Sequence, residues 1–541
     1  MKRRDFIKVS SAAGVAGVVG SGFDSYSSNS KSNQTEGFDL HPFIKAHPEA
    51  VFINLTSVKE KTDKQEIYDA SYKLASEMFV KTQNGEGYPN STKITAKPNW
   101  TSSRPNENDP SYHLGITTDL NFIAGFLNGV KTKGPQNYYL RDCASPGGIY
   151  RNPWDELGFF KMAEQNNFDL KDIAAKEIWE SGDEIIYKKI DNGVVFKEVG
   201  YMAPMNAPDS FLINMAKFKS HSMGITASVK NLQGIATRRL HQFCDAANLF
   251  LTLDERYHRF FQPDFIERIA ELHKNHIEAG IPRWGAAIPV RYSGLNMERW
   301  SQRMLDSFSV TPTGINIVEG IYGRDGDGFS NGPWQVVDGQ YVLGGNRARD
   351  YMSNNIIFGK NAFRVDIITH WLAGHEPGNF GLFHIGIERG FSNVLDPFDI
   401  PVYLWENGVA TKVNLDSLKR TPLVTPYLCR DGEDRYHMCD EPFDYKAWKT
   451  TGKIATIEPY IRTLGTDSNN RIVMDMNVPQ KGDVYVDILN NDGELLARMY
   501  ADDLEPGNHQ VVWDGFAAPG LYTTYVKGMG WDAEREMVIY S

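Results

Sequence analysis

Three lysines, a histidine and an asparagine lie close together in one short segment of the sequence. They are Lys217, Lys219, His221, Lys230 and Asn231. An imidazole titrates near neutral pH and can transfer a proton, ammonium groups neutralise an anion, and an amide donates hydrogen bonds. Because such a concentration of cations is costly without an anionic partner, we predict a ligand site here. The predicted catalytic residues are His221, Lys219 and Lys230, and the predicted substrate-binding residues of this segment are Asn231 and Lys217.

An apolar run just before this segment indicates how its charges are positioned. Phe211 to Met215 is typical of a buried strand, and the charged segment follows as a strand-to-helix passage. In α/β folds, ligands bind at the carboxyl ends of the strands. The alternative interpretation is the start of a surface helix, with the lysines in solvent and Asn231 in a local turn.

Four further polar residues are predicted to line the same site. Asn99, His113 and Asp142 follow apparent strands, and Arg238 would extend the basic pocket. The alternatives are a loop residue or a helix cap for His113 and for Asp142, and a solvated helix end for Arg238.

A second group of candidate ligands consists of His370, His375 and His384, which could meet at a transition metal. An i, i+5 pair does not share one helix face, and the usual short metal signatures are missing, so histidines of a helix face or a loop are the competing interpretation. The four cysteines form no C-x-x-C pair, so no iron–sulfur cluster is expected. The sequence thus establishes no cofactor and leaves a divalent metal as an alternative.

Short apolar runs that alternate with helical patterns predict an α/β domain from about 38 to about 455, with a mostly parallel sheet and flanking helices. Strands are predicted at 51–56, 93–96, 138–142, 210–215, 314–318 and 399–404. Helices are predicted at 64–80, 119–130, 263–279, 297–308 and 363–373.

The last stretch, 456–541, has short strand-like runs separated by Asn-Asp-Gly and Pro-Gly turns, which predict a small β-sandwich. The run from Gly507 to Tyr522 resembles the immunoglobulin-like module related to flagellar hook-capping protein. That resemblance implies an accessory role in docking or stability, without chemistry.

The N-terminal residues predict export. Arg3 and Arg4 precede a weakly hydrophobic stretch rich in glycine, alanine and valine, which predicts a twin-arginine signal peptide at 1–24, followed by a flexible linker at 25–37. The expected partner is the twin-arginine translocase and the expected location is the periplasm, with onward secretion open. No later segment resembles a membrane span. A formal charge of -11 over 541 residues argues against nucleic acid as a partner.

The segment from Lys217 to Gly234 resembles the signature of the domain of unknown function 362 family, whose members carry K-x-K-x-H, then G-x-T and K-N-x-x-G. The resemblance covers roughly Val51 to Leu404. There are two departures: the chain lacks the ferredoxin-like cysteine cluster of many relatives, and Lys360-Asn361 stands where an acidic residue and a proline are expected. A redox function would need a cofactor that no motif supplies.

Among exported members, the chain is similar to a dehydratase of marine polysaccharide-degrading bacteria that acts on the uronic acid ends of ulvan-derived oligosaccharides. This resemblance implies a carbon–oxygen lyase that removes the C5 proton, α to the carboxylate, and eliminates the C4 hydroxyl as water. His221 would act as base or acid, while Lys219 and Lys230 would neutralise the carboxylate. A lysine desolvated between cations could itself be the base. The alternatives are a metal-dependent hydrolase or isomerase, and a noncatalytic glycan-binding protein.

Overall fold

The computed structural model describes most of the chain from Glu36 onward. The described residues are 36–83, 85–100, 111–143, 153–221, 224–240, 254–282, 294–325, 335–337, 340–342, 350–421, 423, 427–428, 435–436, 443–452, 460–466, 471–479, 481–490, 492–515, 520–528 and 531–539. The predicted signal peptide and the predicted linker up to 35 lie outside these residues. Gly37, which ends the predicted linker, begins the first strand.

Strands of the first part of the chain build one large sheet and several small ones. They are β1 (Gly37–Leu40), β2 (Val51–Leu55), β3 (Phe79–Thr82), β4 (Tyr88–Pro89), β5 (Lys93–Pro98), β6 (Asn137–Asp142), β7 (Asp169–Asp172), β8 (Ile185–Lys189), β9 (Glu198–Met202), β10 (Ser210–His221), β11 (Gly224–Thr226), β12 (Ile315–Arg324), β13 (Gln335–Val337), β14 (Gln340–Val342), β15 (Asp350–Gly359), β16 (Val402–Glu406), β17 (Val409–Val413), β18 (Tyr427–Leu428) and β19 (Arg435–Tyr436). The large sheet has the order β17-β16-β2-β15-β12-β10-β5-β6-β7, and β11 pairs with β10.

Most strands of the large sheet point the same way. β12, β10, β5, β6 and β7 run parallel to one another, and β16 runs parallel to β2. In contrast, β15 is antiparallel to both β12 and β2, β17 is antiparallel to β16, and β11 is antiparallel to β10. The sheet is therefore mixed and mostly parallel, which confirms the predicted α/β class.

The helices flank this sheet on both faces. They are α1 (Pro42–Ala46), α2 (Lys64–Met78), α3 (Leu120–Lys131), α4 (Phe159–Gln165), α5 (Ser228–Leu232), α6 (Phe265–Glu278), α7 (Gly294–Ser309), α8 (Ala362–Leu372), α9 (Gly381–Glu388) and α10 (Tyr445–Thr451). Among the described residues, none of the helices combines the length and the apolar character needed to cross a bilayer.

β10 shows why the two helix layers form. Its side chains alternate between the faces of the sheet, as the two-residue repeat of a strand requires. Ile213 and Met215 join the hydrophobic cluster that contains α2 and α3, whereas Ala216 and Phe218 join the cluster that contains α7 and α8. A strand that is apolar on both faces must be covered on both, so β10 lies at the centre of the domain.

The C-terminal part forms two antiparallel sheets. Its strands are β20 (Tyr460–Thr466), β21 (Ile472–Val478), β22 (Gly482–Asn490), β23 (Leu495–Leu504), β24 (Gly507–Trp513), β25 (Gly520–Gly528) and β26 (Trp531–Ile539). The sheets have the orders β20-β21-β24 and β23-β22-β25-β26. Both contribute to one hydrophobic cluster, with Met474 from the first sheet and Ile488 from the second completely buried.

Candidate active site

Parallel strands bring a group of buried charges to one edge of the central sheet. The side chains at or near the carboxyl ends of β5, β6, β10 and β12 are Lys97, Asp142, Lys217, Lys219, His221, Glu319 and Arg324. Each of these residues is at most 5% exposed. The charged segment therefore lies at the carboxyl edge, as the sequence predicts. The surface-helix interpretation requires the lysines to lie in solvent, whereas the structure buries them.

The charged segment also differs in local structure from the predicted strand-to-helix passage. β10 continues to His221, and β11 folds back on it, with His221 opposite Gly224 in the antiparallel register. Gly224 has a φ of +99°, which favours a residue without a side chain. α5 follows and carries Lys230 and Asn231, both buried.

Lys219 is a buried lysine of the site with a strongly lowered pKa. It is 1% exposed, and its Nζ donates a hydrogen bond to the carbonyl oxygen of Ile116 at 2.5 Å. Burial, followed by the charges of Lys230 and Arg324, lowers the pKa of Lys219 well below its usual value. The lowered pKa favours the unprotonated amine, which is the form that accepts a proton.

Lys217 lies in an ion pair rather than facing outward. Its Nζ contacts both carboxylate oxygens of Glu319, at 2.9 and 2.6 Å, and lies 3.4 Å from the ring centroid of Tyr322. The Tyr322 hydroxyl donates to Asp119 at 2.8 Å. Since its charge is already neutralised within the fold, we interpret Lys217 as a residue that supports the site.

The Asn231 side chain forms hydrogen bonds with Lys97 and Asn99. Its Nδ2 donates to the carbonyl oxygen of Lys97 and to Oδ1 of Asn214, at 3.1 and 2.8 Å. Its Oδ1 accepts from Asn99 at 2.9 Å and from Lys97 at 3.3 Å. Both amide N–H groups of Asn231 are thus used inside the protein, so this side chain positions its neighbours instead of presenting a donor to a substrate.

Asp142 is the carboxylate partner of Lys97. The two side chains pair at 2.8 Å, and Asp142 also accepts hydrogen bonds from the backbone N–H groups of Trp100 and Cys143, at 2.6 and 2.7 Å. Burial raises the pKa of Asp142, and the charge of Lys97 opposes this effect. Asp142 therefore lies at the predicted site but is committed to the ion pair and to the loops after β5 and β6.

Sequence reasoning missed Arg324 and Asp350. The Arg324 Nε and Nη2 atoms donate to the two Asp350 carboxylate oxygens, at 2.7 and 2.9 Å. The guanidinium carbon lies 4.6 Å from the ring centroid of Tyr112, and a Cβ atom at Gly115 would come within 2.2 Å of Arg324 Nε. The one signal in the sequence is that Arg324 ends a second strand rich in apolar residues, just as Lys219 lies near the end of the first.

The two remaining predicted neighbours differ in their placement. His113 is half-buried in a 3-10 turn, Tyr112–Gly115, immediately before the carbonyl group that binds Lys219. Arg238 pairs with Glu177 at 2.9 Å and donates to the carbonyl oxygen of Ala174. The structure thus places His113 three residues before the Ile116 carbonyl that accepts from Lys219, and it engages Arg238 in a separate network.

The three histidines of the metal alternative each contact a backbone carbonyl. His370 Nδ1 contacts Asp366 at 2.8 Å, His375 Nε2 contacts Leu423 at 2.8 Å, and His384 Nε2 contacts Gly378 at 2.7 Å. Burial lowers the pKa of His370 and of His384 to about 4. Within the described ranges, no group of three or more histidine, cysteine, aspartate or glutamate side chains is arranged to hold a metal ion.

The comparisons with known proteins define the class. Residues 94–368, about half of the chain, match the family described as a domain of unknown function (DUF362). The chain belongs to this family. The match includes every buried charge at the carboxyl edge of the sheet. A comparison with curated proteins gave no match.

Proposed function

We propose that the chain is an exported carbon–oxygen lyase, a dehydratase that eliminates water from the terminal uronic acid of ulvan-type oligosaccharides. The observation that carries this proposal is Lys219, a buried amine whose neighbours are cations and whose pKa is lowered. A carbon α to a carboxylate is only weakly acidic, so its deprotonation requires an unprotonated base and nearby positive charge. Lys219 and Lys230 supply these two requirements side by side.

The elimination needs no oxidant and no added group. The Lys219 amine takes the C5 proton, and the electron pair of the C5–H bond forms the C4–C5 double bond. The C4–O bond breaks, and the hydroxyl group leaves as water after accepting a proton. The products are a 4,5-unsaturated uronate and one water molecule.

His221 is the proposed proton donor to the leaving hydroxyl. It lies two residues beyond Lys219 on the same strand and is 5% exposed. An imidazole can hold a proton near neutral pH and release it in the transition state. Lys230 neutralises the carboxylate as negative charge develops on it.

The test uses ultraviolet absorbance of the purified protein with saturated uronate-ended oligosaccharides. A C4–C5 double bond conjugated to the carboxylate absorbs where the substrate does not, and mass spectrometry should show the loss of one water. We expect Lys219→Met and His221→Ala each to lower the rate about 100-fold or more, as is typical of a lost general base or acid. Lys449→Met removes the same amine at the surface, where it pairs with Asp396 and Asp399, and should leave the rate unchanged.

The outcomes separate the alternatives. Unchanged oligosaccharides of every uronate type, recovered after binding, would reject the lyase and support a noncatalytic glycan-binding protein. Cleavage of a glycosidic bond that requires an added divalent metal and produces no rise in ultraviolet absorbance would support the metal-dependent hydrolase. Elimination that persists in Lys219→Met would reject Lys219 as the base.

Two further proposals concern the ends of the chain. We propose that residues 1–24 direct export through the twin-arginine translocase to the periplasm, which a loss of periplasmic protein in an Arg3→Lys, Arg4→Lys variant would test. We also propose that residues 456–541 form an immunoglobulin-like accessory β-sandwich. Its support is the pair of antiparallel sheets with a shared apolar cluster.

A further inference from the structure

Two buried side chains beside Lys219 carry polar atoms that have no hydrogen-bond partner among the described residues. They are Nη1 of Arg324 and Oγ1 of Thr226. Arg324 is 1% exposed and Thr226 is 0% exposed. A buried donor without a partner costs about 1–3 kcal/mol, and more when it is charged, so each such atom in a fold calls for an explanation.

Both side chains are register partners of Lys219, one on each side. Thr226 lies opposite Lys219 in the antiparallel pairing of β11 with β10. Arg324 lies opposite Lys219 in the parallel pairing of β12 with β10. Paired residues of adjacent strands project from the same face of a sheet, so Thr226 shares a face with Lys219. The pairing of β10 with β12 is irregular between Lys217 and Lys219. Arg324 is placed near the amine by Gly115, which lies against Arg324 and directly precedes Ile116, the acceptor of the Lys219 hydrogen bond.

The guanidinium of Arg324 is held in one orientation. Asp350 engages Nε and Nη2, Tyr112 lies against the flat face, and Gly115 leaves room for the group. Arginine presents its donors in a rigid planar fork, so fixing two nitrogen atoms also fixes the direction of the third. Nη1 therefore has a fixed direction but no acceptor among the described residues, so it is available to hydrogen-bond a ligand.

We propose that Arg324 Nη1 and the Thr226 hydroxyl together bind the carboxylate of the substrate. This inference rests on the proposed function and adds to it the group that the site recognises. A carboxylate has two oxygen atoms, one for each donor, and its α-carbon then lies next to the Lys219 amine that removes the proton. The site should accordingly accept uronates and reject the corresponding neutral sugars.

The test measures binding, independently of turnover. Saturation-transfer difference NMR compares glucuronate with glucose on the full chain. We expect glucuronate to bind at least about tenfold more tightly than glucose, and this preference to fall to about twofold or less in Arg324→Lys and to weaken in Thr226→Val. Lys449→Met, which removes an amine at the surface, should keep the preference.

Loss of Arg324 alone would remove the two-point contact to Asp350, which would keep its pair with Lys61, and could unfold the edge of the sheet. A double variant, Arg324→Leu with Asp350→Leu, removes the whole pair and avoids an isolated buried charge. Its matched control is Arg498→Leu with Asp487→Leu, because those side chains form the same two-point contact in the C-terminal part, at 2.6 and 2.7 Å. The control should retain the preference for glucuronate.

The outcomes distinguish this inference from the proposed function. Elimination by the wild type, together with an unchanged glucuronate preference in folded Arg324 variants, would overturn the inference and leave the lyase standing. A preference for glucuronate that depends on Arg324, without elimination of any uronate, would support the carboxylate site and reject the lyase. Equal binding of glucuronate and glucose by the wild type would overturn the inference.

Discussion

Lys219 of β10 and Arg324 of β12 are register partners, so a buried ammonium group and a buried guanidinium group lie side by side at the edge of the sheet. Like charges repel strongly where water is excluded, and a guanidinium group does not lose its proton in proteins. The lysine is therefore the partner that gives up its proton, in agreement with the lowered pKa of Lys219. This neighbour relationship is how the fold can provide an amine base.

The first prediction concerns the pH dependence of the proposed elimination. A base must be unprotonated, so the rate should rise with pH through the pKa of Lys219. After burial, the charge of Lys230 is the largest cause that lowers this pKa. Lys230→Met removes that charge, raises the pKa of Lys219, and should move the acid limb of the kcat/KM profile to higher pH.

The control for this shift is Lys449→Met, which should leave the acid limb in place. A limb that stays at the same pH in Lys230→Met, or that moves to lower pH, would contradict the role of Lys219 as the titrating base.

The second prediction concerns the buried pair of Lys97 and Asp142. Lys97→Met leaves the Asp142 carboxylate buried without its cation and should lower the free energy of unfolding by about 3–5 kcal/mol. Urea denaturation measures this change. Lys97→Met combined with Asp142→Asn removes both charges and should recover at least half of the loss.

Lys93 supplies the matched control on the same strand. Its pair with Asp209, at 2.9 Å, is exposed, so Lys93→Met should lower the free energy of unfolding by at most about 1 kcal/mol. A similar decrease in the free energy of unfolding for Lys93→Met and Lys97→Met would mean that burial does not strengthen the pair of Lys97 with Asp142.

The third prediction concerns stability against pH at His276 in α6. Its Nδ1 contacts Glu298 at 2.6 Å and its Nε2 contacts Glu388 at 2.7 Å. Burial opposes the positive charge, but the two carboxylates outweigh burial and raise the pKa of His276 to about 9. The charged histidine therefore contributes stability that is complete below about pH 6.5 and is lost as the pH rises through about 9.

This contribution amounts to as much as about 3 kcal/mol. We expect His276→Gln to be less stable than the wild type at pH 6.5, with the difference narrowing by pH 9.5 in urea denaturation. Asn275→Gln on the same helix, which changes no titratable group, is the control and should show no such narrowing. A constant difference across this pH range would contradict the raised pKa.

The fourth prediction concerns Asp366 of α8, which caps α5. Its carboxylate accepts hydrogen bonds from the backbone N–H groups of Ser228 and Val229, at 2.6 and 2.9 Å. Asp366→Ala should lower the free energy of unfolding by about 1–2 kcal/mol. It should also lower the elimination rate, because α5 carries Lys230.

Asp63→Ala provides the comparison, since Asp63 caps α2 through the N–H of Glu66 at 3.0 Å, away from the buried charges. It should cost a similar amount of stability and leave kcat unchanged. Equal rates in the two variants would show that the cap of α5 does not position the site.

Local patterns predicted much of the fold but not the full extent of its strands. β10 runs six residues beyond the predicted end at 215, because pairing with β12 and β11 keeps its charged residues in the sheet. β15 was not predicted. Its first half mixes polar residues with the part-buried Tyr351 and Met352, and only its second half, from Ile356 to Phe358, has the completely buried apolar residues of a central strand.

Only the part of the site formed by residues close together in the sequence could be predicted. The spacing of Lys217, Lys219 and His221 located the edge, since one strand presents all three. The role of Asn231 could not be predicted, because its four hydrogen bonds depend on tertiary contacts with other strands. Arg324 and its partner come from different strands, and no local motif joins them.

Ion pairs that are buried or part-buried bridge three pairs of adjacent strands at this edge. Lys97 with Asp142 joins β5 to β6, Lys217 with Glu319 joins β10 to β12, and Arg324 with Asp350 joins β12 to β15. A chain that assembled these strands in another order would bury charges without partners, at about 3–5 kcal/mol for each broken pair. We therefore expect the same charges to select the native strand order during folding, among apolar strands that would otherwise be nearly interchangeable.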